Sequence, residues 1–226
     1  MIDSCDLVTR PDARRMTDPA PARRPLASRQ TSFARAMTRA LLATPVTANQ
    51  ISLLSIAFAG AGAAALLAAP QRPALWWLAA LAIQLRLLCN LLDGMVAVEG
   101  GRGSPLGALY NEVPDRIADS ALIVALGYAV GAAWLGWAGA LAAALTAYVR
   151  TLGGSLGLTQ DFRGPMAKPQ RMATMTLACV LAPLEAWFAG SMLAPLLAAW
   201  VILLGSVLTC GTRLAAMARA LRERAA

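Results

Sequence analysis

Eight polar side chains interrupt two long apolar stretches of this chain. Arg86, Asn90 and Asp93 lie in one; Asn111, Glu112, Asp115, Arg116 and Asp119 lie in the next. Ionisable groups at membrane depth are costly and mark functional sites. Asn90 and Asp93 are three residues apart and Arg86 is four before Asn90, so all three share a helix face. Gly107, Asn111, Asp115 and Asp119 step by four and form one polar stripe. Two antiparallel helices with facing oxygen-rich stripes can hold a hard divalent cation, Mg²⁺ or Mn²⁺, through carboxylate and amide oxygens and substrate phosphates. Gly94 and Gly107 let a bulky headgroup approach the backbone. Pro114 removes one helix hydrogen bond beside Asp115. The alternative for the same residues is interhelical glue: ion pairs such as Arg86 with Asp119, and Arg116 with Glu112 within one helix. With no histidine in the chain, any proton transfer falls to carboxylates.

The elements that carry these residues are membrane helices. Of 226 residues, 58% are apolar and only 14% charged, and mean hydropathy is +0.57. Six apolar segments fall at about 50–69, 74–97, 105–130, 132–154, 172–188 and 192–212. Runs of roughly 18 or more apolar residues span a hydrocarbon core about 30 Å thick. No barrel alternation is visible, so helix is the way to satisfy the backbone in lipid. Ahead of them, Phe33, Met37 and Leu41 alternate with Arg35 and Arg39, predicting an amphipathic helix over 31–42 that lies in the headgroup layer. The predicted fold is all-α: a polytopic membrane protein with six transmembrane helices preceded by an interfacial helix.

The net charge of +8 comes from nineteen Arg, one Lys and twelve acids. Eight Arg precede the first span and four follow the last. Basic residues that flank spans follow the positive-inside pattern and argue against nucleic acid as a partner. Both termini and the polar site are therefore expected on the cytoplasmic side of a bacterial inner (plasma) membrane. Trp76, Trp77, Trp134, Trp137 and Trp187 fall near the outer turns, as an aromatic belt does. Residues 1–30 are expected to be a disordered basic tail, 31–215 the transmembrane domain, and 216–226 a basic cytoplasmic tail. Small residues such as Gly127 and Gly131 point first to close helix packing and second to a homodimer interface. The four cysteines, Cys5, Cys89, Cys179 and Cys210, form no CxxC pair, and three fall in apolar stretches as small hydrophobes.

The pattern Asn90-x2-Asp93-Gly94-x2-Ala97-Val98-x8-Gly107-x3-Asn111-x3-Asp115 resembles the signature of the CDP-alcohol phosphatidyltransferase family, D-x2-D-G-x2-A-R-x8-G-x3-D-x3-D. Every gap matches. Asp93, Gly94, Ala97, Gly107 and Asp115 match by identity; Asn90 and Asn111 replace the first and third aspartates, and Val98 replaces the arginine. The segment Thr44 to Ser52 is similar to the family's entry to the first span. Tyr148-Val149-Arg150 and the loop from Lys168 to Arg171 are similar to its acceptor-side segment.

The resemblance implies a reaction. A CDP-linked lipid of the CDP-diacylglycerol type binds through its diphosphate to divalent cations held at Asn90, Asp93, Asn111 and Asp115. Asp115 deprotonates an alcohol acceptor, the alkoxide attacks the lipid-bearing phosphorus, and CMP leaves. Gly94, Ala97, Gly107, Asp119, Arg86, Arg102, Arg150, Lys168 and Arg171 are then expected to bind substrate. Asp119 is a candidate to offset the missing carboxylates, and Arg86 or Arg102 the missing arginine. The two asparagines leave the site two charges less negative. The expectation is full metal occupancy only with the diphosphate present, or one tight metal instead of two. The competing reading is a homologue that kept the bundle, lost transfer, and binds CDP-lipids or a partner. The basic loop suits a phosphate-bearing acceptor and equally suits ordinary positive-inside charge.

Overall fold

A computed structural model describes residues 31–101 and 106–225 of the chain. The tail over 1–30 and Arg102 lie outside the described residues. Among those described there are seven α-helices and no strands: α1 (Ser32–Leu42), α2 (Ala48–Ala68), α3 (Ala74–Glu99), α4 (Gly107–Ala129), α5 (Ala133–Ser155), α6 (Lys168–Ala189) and α7 (Leu193–Ala225). The six helices after α1 follow the six apolar segments, and the protein is an all-helical polytopic membrane protein. Four of them, α2, α3, α6 and α7, are long and apolar enough to cross a membrane by length and composition. Helix α4 carries the charged stripe.

The helices close into a ring. In order around it, α3 packs on α2, α2 on α4, α4 on α5, α5 on α7, α7 on α6, and α6 on α3. Helices α3 and α4 are therefore not close backbone neighbours; both lean on α2 and meet through long polar side chains. The core of the ring is apolar, with Leu66, Trp76, Ile83, Leu122, Leu126, Leu135, Met172, Met175 and Ile202 almost wholly buried. Its outer surface is apolar too: Leu53, Leu81, Leu141, Leu177, Leu204 and Leu208 are each about half exposed or more. Apolar contacts inside and apolar side chains outside are what a helical bundle in lipid requires.

Local chemistry sets the elements that frame the site. Thr47 and Gln50 form a reciprocal cap at the start of α2, with Gln50 N–H donating to Thr47 Oγ1 at 3.3 Å and Thr47 N–H to Gln50 Oε1 at 2.9 Å. Helix α4 runs through Pro114 without a break. Gly127 sits against Gly136 of α5 so closely that a Cβ on Gly127 would lie 2.5 Å from the Gly136 Cα. That contact consumes Gly127 in packing within the chain. Gly131, at φ +71°, makes the turn between the two helices and faces open space.

Three expectations are refined. Trp76 is fully buried in the core and is packing, not a headgroup anchor; Trp77, Trp134, Trp137 and Trp187 are exposed. Helix α1 is distinct from the bundle's first span yet docks on α3, where Thr38 approaches Met95 Sδ at 3.6 Å, while Phe33 stays exposed. Helix α7 does not stop with its apolar run near residue 212. It has 33 residues, about 50 Å at 1.5 Å per residue, so its arginine-rich end extends beyond a hydrocarbon core.

Candidate functional site

At the end of the ring where α3 and α5 finish and α4 and α6 begin, the five helices α3 to α7 surround a cavity of about 570 Å³. That lies within the size range of small-molecule sites. Its lining is mixed: Leu87, Leu88, Leu91 and Phe162 are apolar, and Asn90, Asn111, Glu112, Asp115, Arg116, Arg150, Lys168, Arg171 and Arg213 are polar or charged. Such a lining suits a ligand with both apolar and anionic parts.

Asp115 is the hub. Its Oδ1 accepts from Asn90 Nδ2 at 2.9 Å and Arg86 Nη2 at 3.2 Å. Its Oδ2 accepts from Lys168 Nζ, with Arg116 Nη2 at 3.7 Å. One turn further along α4, Asp119 pairs with Arg86 Nη2 at 2.6 Å and with Arg171 Nη2 at 3.3 Å. Arg86 is fully buried and links the two carboxylates. Glu112 pairs with Arg150 at 2.7 Å and Arg116 at 3.6 Å. Arg150 also donates to Gln160 at 2.9 Å and lies 5.4 Å from the centre of the Phe162 ring. The ion pairs anticipated as glue, Arg86–Asp119 and Arg116–Glu112, are both present; the second lines the cavity and the first is buried behind Asp115.

Asp93 stands apart. It is 3% exposed and is not among the cavity-lining residues. Its Oδ2 accepts from Ser52 Oγ of α2 at 2.7 Å, and its Oδ1 is buried with no hydrogen-bond partner. It still lies within Coulombic range of Asp115 and Lys168. The shared face of α3 is thus divided: Arg86 and Asn90 reach α4, while Asp93 reaches α2. A buried carboxylate oxygen without a donor is costly unless a cation or proton meets it.

The other expected site residues divide the same way. Asn111, Arg150, Lys168 and Arg171 line the cavity. Gly94 and Gly107 are half-buried and do not line it; Ala97 packs beside Val96 and Leu92. Asp119 has both oxygens within ion-pair distance of arginines, though its buried Oδ1 has no hydrogen-bond partner. Arg86 is locked beneath Asp115. Arg102 is outside the described residues.

Spacing alone did not reveal Ser52, Thr146 or Arg213. Arg213 donates to Thr146 O at 2.6 Å and Arg163 O at 2.9 Å. Thr209 Oγ1 accepts from Met166 N at 2.9 Å, and Gly164, at φ +124°, lets the loop pass so near Thr209 that a Cβ would sit 2.5 Å from its Cγ2. Helix α7 thereby fastens the loop before α6, which fixes where Lys168 begins. The only sequence signal for Arg213 was an arginine closing an apolar run; Ser52 lay at the end of the Thr44-to-Ser52 segment without a role of its own, and for Thr146 there was no signal.

Known proteins resemble this chain in sequence and in fold. The chain is 36% identical over 113 residues to the bifunctional IPC transferase and DIPP synthase of Rubrobacter xylanophilus, which covers 49% of the chain and 25% of that protein. It is 40% identical over 77 residues to the inner membrane protein YnbA of Escherichia coli, covering 34% of the chain and 38% of that protein. The matched parts are well under half of either relative. Among solved structures, the phosphatidylinositol phosphate synthase PgsA1 of Mycobacterium tuberculosis with CDP-DAG bound superposes at a TM-score of 0.67, with 21% identity, 83% of this chain and 94% of that one. The same enzyme with manganese and citrate gives 0.70, with 22% identity and 81% and 88% coverage. At that identity the likeness establishes the fold. The sequence description of one family, CDP-alcohol phosphatidyltransferase, fits residues 45–211, a stretch that holds the whole spaced signature and nearly all of the ring. This chain belongs to the CDP-alcohol phosphatidyltransferase family.

Proposed function

We propose that this chain transfers a phosphatidyl group from a CDP-linked lipid, of the CDP-diacylglycerol type, to the hydroxyl of an alcohol acceptor in phospholipid biosynthesis. The observation that carries the proposal is Asp115: a carboxylate at the last position of the spaced signature, lining a cavity whose other residues include both leucines and several cations. The acceptor oxygen attacks the lipid-bearing phosphorus, its proton passes to Asp115, and the bond to CMP breaks. For this, Lys168 must exchange Asp115 for a phosphate oxygen as substrate enters. Asn90 and Arg86 keep the Asp115 carboxylate turned toward the cavity. Lys168, Arg150 and Arg171 set the field that receives phosphate. A divalent cation, Mg²⁺ or Mn²⁺, belongs to the same proposal. The orphaned Asp93 Oδ1 fits a cation ligand, with Asn90 and Asn111 as amide oxygens nearby in sequence register. Bound there, the metal supplies neutralisation of diphosphate charge.

The proposal also places six spans in a bacterial inner membrane, with α1 in the headgroup layer and the cavity and both termini in the cytoplasm. It is supported by the arginines that precede α2 and end α7.

The test is CMP release. Purified chain receives labelled CDP-diacylglycerol, Mg²⁺ or Mn²⁺ and a panel of alcohols led by inositol phosphate and glycerol 3-phosphate. The expected result is CMP release that falls on the order of 10²–10⁴-fold in Asp115→Asn. A second reading is favoured by one observation: both Asp115 oxygens are held by protein cations. A lipid-binding homologue without turnover would bind the CDP-lipid and release no CMP with any acceptor, and that result would overturn the transferase reading.

A further inference from the structure

Arg150, on α5, is held on three sides. Its Nη1 donates to Gln160 Oε1 at 2.9 Å, its Cζ lies 5.4 Å from the centre of the Phe162 ring, and its Nη2 donates to Glu112 Oε1 of α4 at 2.7 Å. Gln160 and Phe162 belong to the loop between α5 and α6, which Arg213 of α7 ties down through the Arg163 carbonyl at 2.9 Å. Those two contacts are neutral, so among the described residues Glu112 is the one anion paired with Arg150. The pair is lopsided. The Arg150 side chain is 13% exposed and that of Glu112 46%. A guanidinium so nearly enclosed needs an anion beside it, because an unpaired buried charge is strongly disfavoured. A half-exposed carboxylate has no such need, since water solvates it when it leaves. Glu112 also has somewhere to go: its Oε2 already lies 3.6 Å from Arg116 Nη2. It lines the cavity and occupies none of the fixed positions of the spaced signature.

Resting on the transferase reading, we propose that Glu112 stands in for substrate phosphate: it neutralises Arg150 in the empty cavity and swings onto Arg116 and water when a phosphate oxygen arrives. The phosphate belongs to the diphosphate of the CDP-lipid or to a phosphate-bearing acceptor, and the chemistry at Arg150 is the same for both. Glu112 meets Arg150 through a single 2.7 Å contact, whereas a phosphate group can take two parallel N–H···O bonds from the guanidinium fork. The exchange therefore favours phosphate. Gln160 and Phe162 keep the guanidinium where it is, so Glu112 moves and Arg150 does not. The incoming group meets a fork that is already oriented, which spares it the ordering of a long side chain. An uncharged hydroxyl cannot replace a carboxylate beside an enclosed cation. Glu112 is thus a specificity-determining residue: it makes Arg150 answer to phosphate and not to alcohol.

Binding is measured apart from turnover. The full chain in mixed micelles is titrated calorimetrically with CDP-diacylglycerol, with inorganic phosphate as the probe for an acceptor's phosphate, and with glycerol as the uncharged control; CMP release is followed in parallel. Glu112→Gln should tighten the binding of one phosphate probe about three- to tenfold, the worth of a partly screened ion pair, and leave glycerol unchanged. A response to CDP-diacylglycerol assigns Arg150 to the diphosphate, and a response to inorganic phosphate assigns it to the acceptor. Tighter binding is a gain that misfolding does not produce. Removing any nearby negative charge would also favour an anion, and two variants separate that field effect from exchange at Arg150. Glu112→Asp keeps the charge on a shorter side chain that no longer reaches Arg150, and should show part of the gain. In an Arg150→Gln background, Glu112→Gln should change nothing. Unchanged or weaker binding of both probes in Glu112→Gln overturns the proposal, as does a gain that survives in Arg150→Gln or is missing from Glu112→Asp. A protein that binds CDP-diacylglycerol and releases no CMP would refute the transferase reading, while the titrations would still decide the role of Glu112.

Discussion

Arg86→Met perturbs the hinge of the polar group. Arg86 is fully buried and its Nη2 lies 3.2 Å from Asp115 Oδ1 and 2.6 Å from Asp119 Oδ1. At about 3 Å and an effective dielectric of about 20, each unit-charge pair is worth roughly 5 kcal/mol of Coulomb energy. The cost of desolvating the guanidinium offsets much of that. The measurable quantity is therefore the loss on removing one partner, typically about 3–5 kcal/mol for a buried pair. Here the lower end applies, because Asp115 keeps Lys168 and Asp119 keeps Arg171 at 3.3 Å. Arg86→Met should destabilise the bundle by about 3 kcal/mol, and Asp119→Asn by less. In the double variant the buried charges left unpaired are fewer than the singles imply, so the losses should fall short of their sum by about 1–3 kcal/mol. Equilibrium unfolding in mixed micelles, followed by helical circular dichroism, completes the cycle. Losses that add within about 0.5 kcal/mol would mean that Arg86 and Asp119 do not act as a pair, and the account of the site's electrostatics would fail.

Two further outcomes follow from packing and hydrogen bonding. Gly127→Ala places a Cβ 2.5 Å from the Gly136 Cα, so α4 and α5 must part, at about 1–3 kcal/mol; Gly60→Ala, which meets nothing within 4 Å, is the control and should leave the melting temperature nearly unchanged. Ser52→Ala removes the 2.7 Å hydrogen bond to Asp93 Oδ2, a bond to a charged acceptor worth about 1.5–3 kcal/mol. Its loss should also raise the Mn²⁺ concentration needed for half-maximal binding, as seen by manganese resonance; an unchanged titration would place the metal away from Asp93.

The distribution of apolar and basic residues sufficed for the bundle. Hydropathy placed six helices within a few residues of where they lie, save for the polar end of α7, which runs on to Ala225, because burial in lipid constrains every residue of a span alike. Helical spacing also placed Arg86, Asn90 and Asp93 on one face, and Asn111, Asp115 and Asp119 on another, because the 3.6-residue period is local. Even the Arg86–Asp119 and Arg116–Glu112 pairs were legible, since charge within facing spans has few partners to choose from. What a local period cannot say is which neighbour a face meets. Asp93 and Asn90 looked equivalent, yet one turned to Ser52, 41 residues away, and the other to Asp115. Lys168 read as one more basic residue in an inner loop. It reaches Asp115 across 53 residues because α7, through Thr209 and Arg213, fastens the loop that precedes it. Apolar pattern and spacing are properties of each helix alone, and they determined the ring's parts and the polar stripe. The order of helices around the ring and the anchoring of its loops are properties of the assembled chain, and only they decided which carboxylates are paired with protein cations and which one, Asp93, is not.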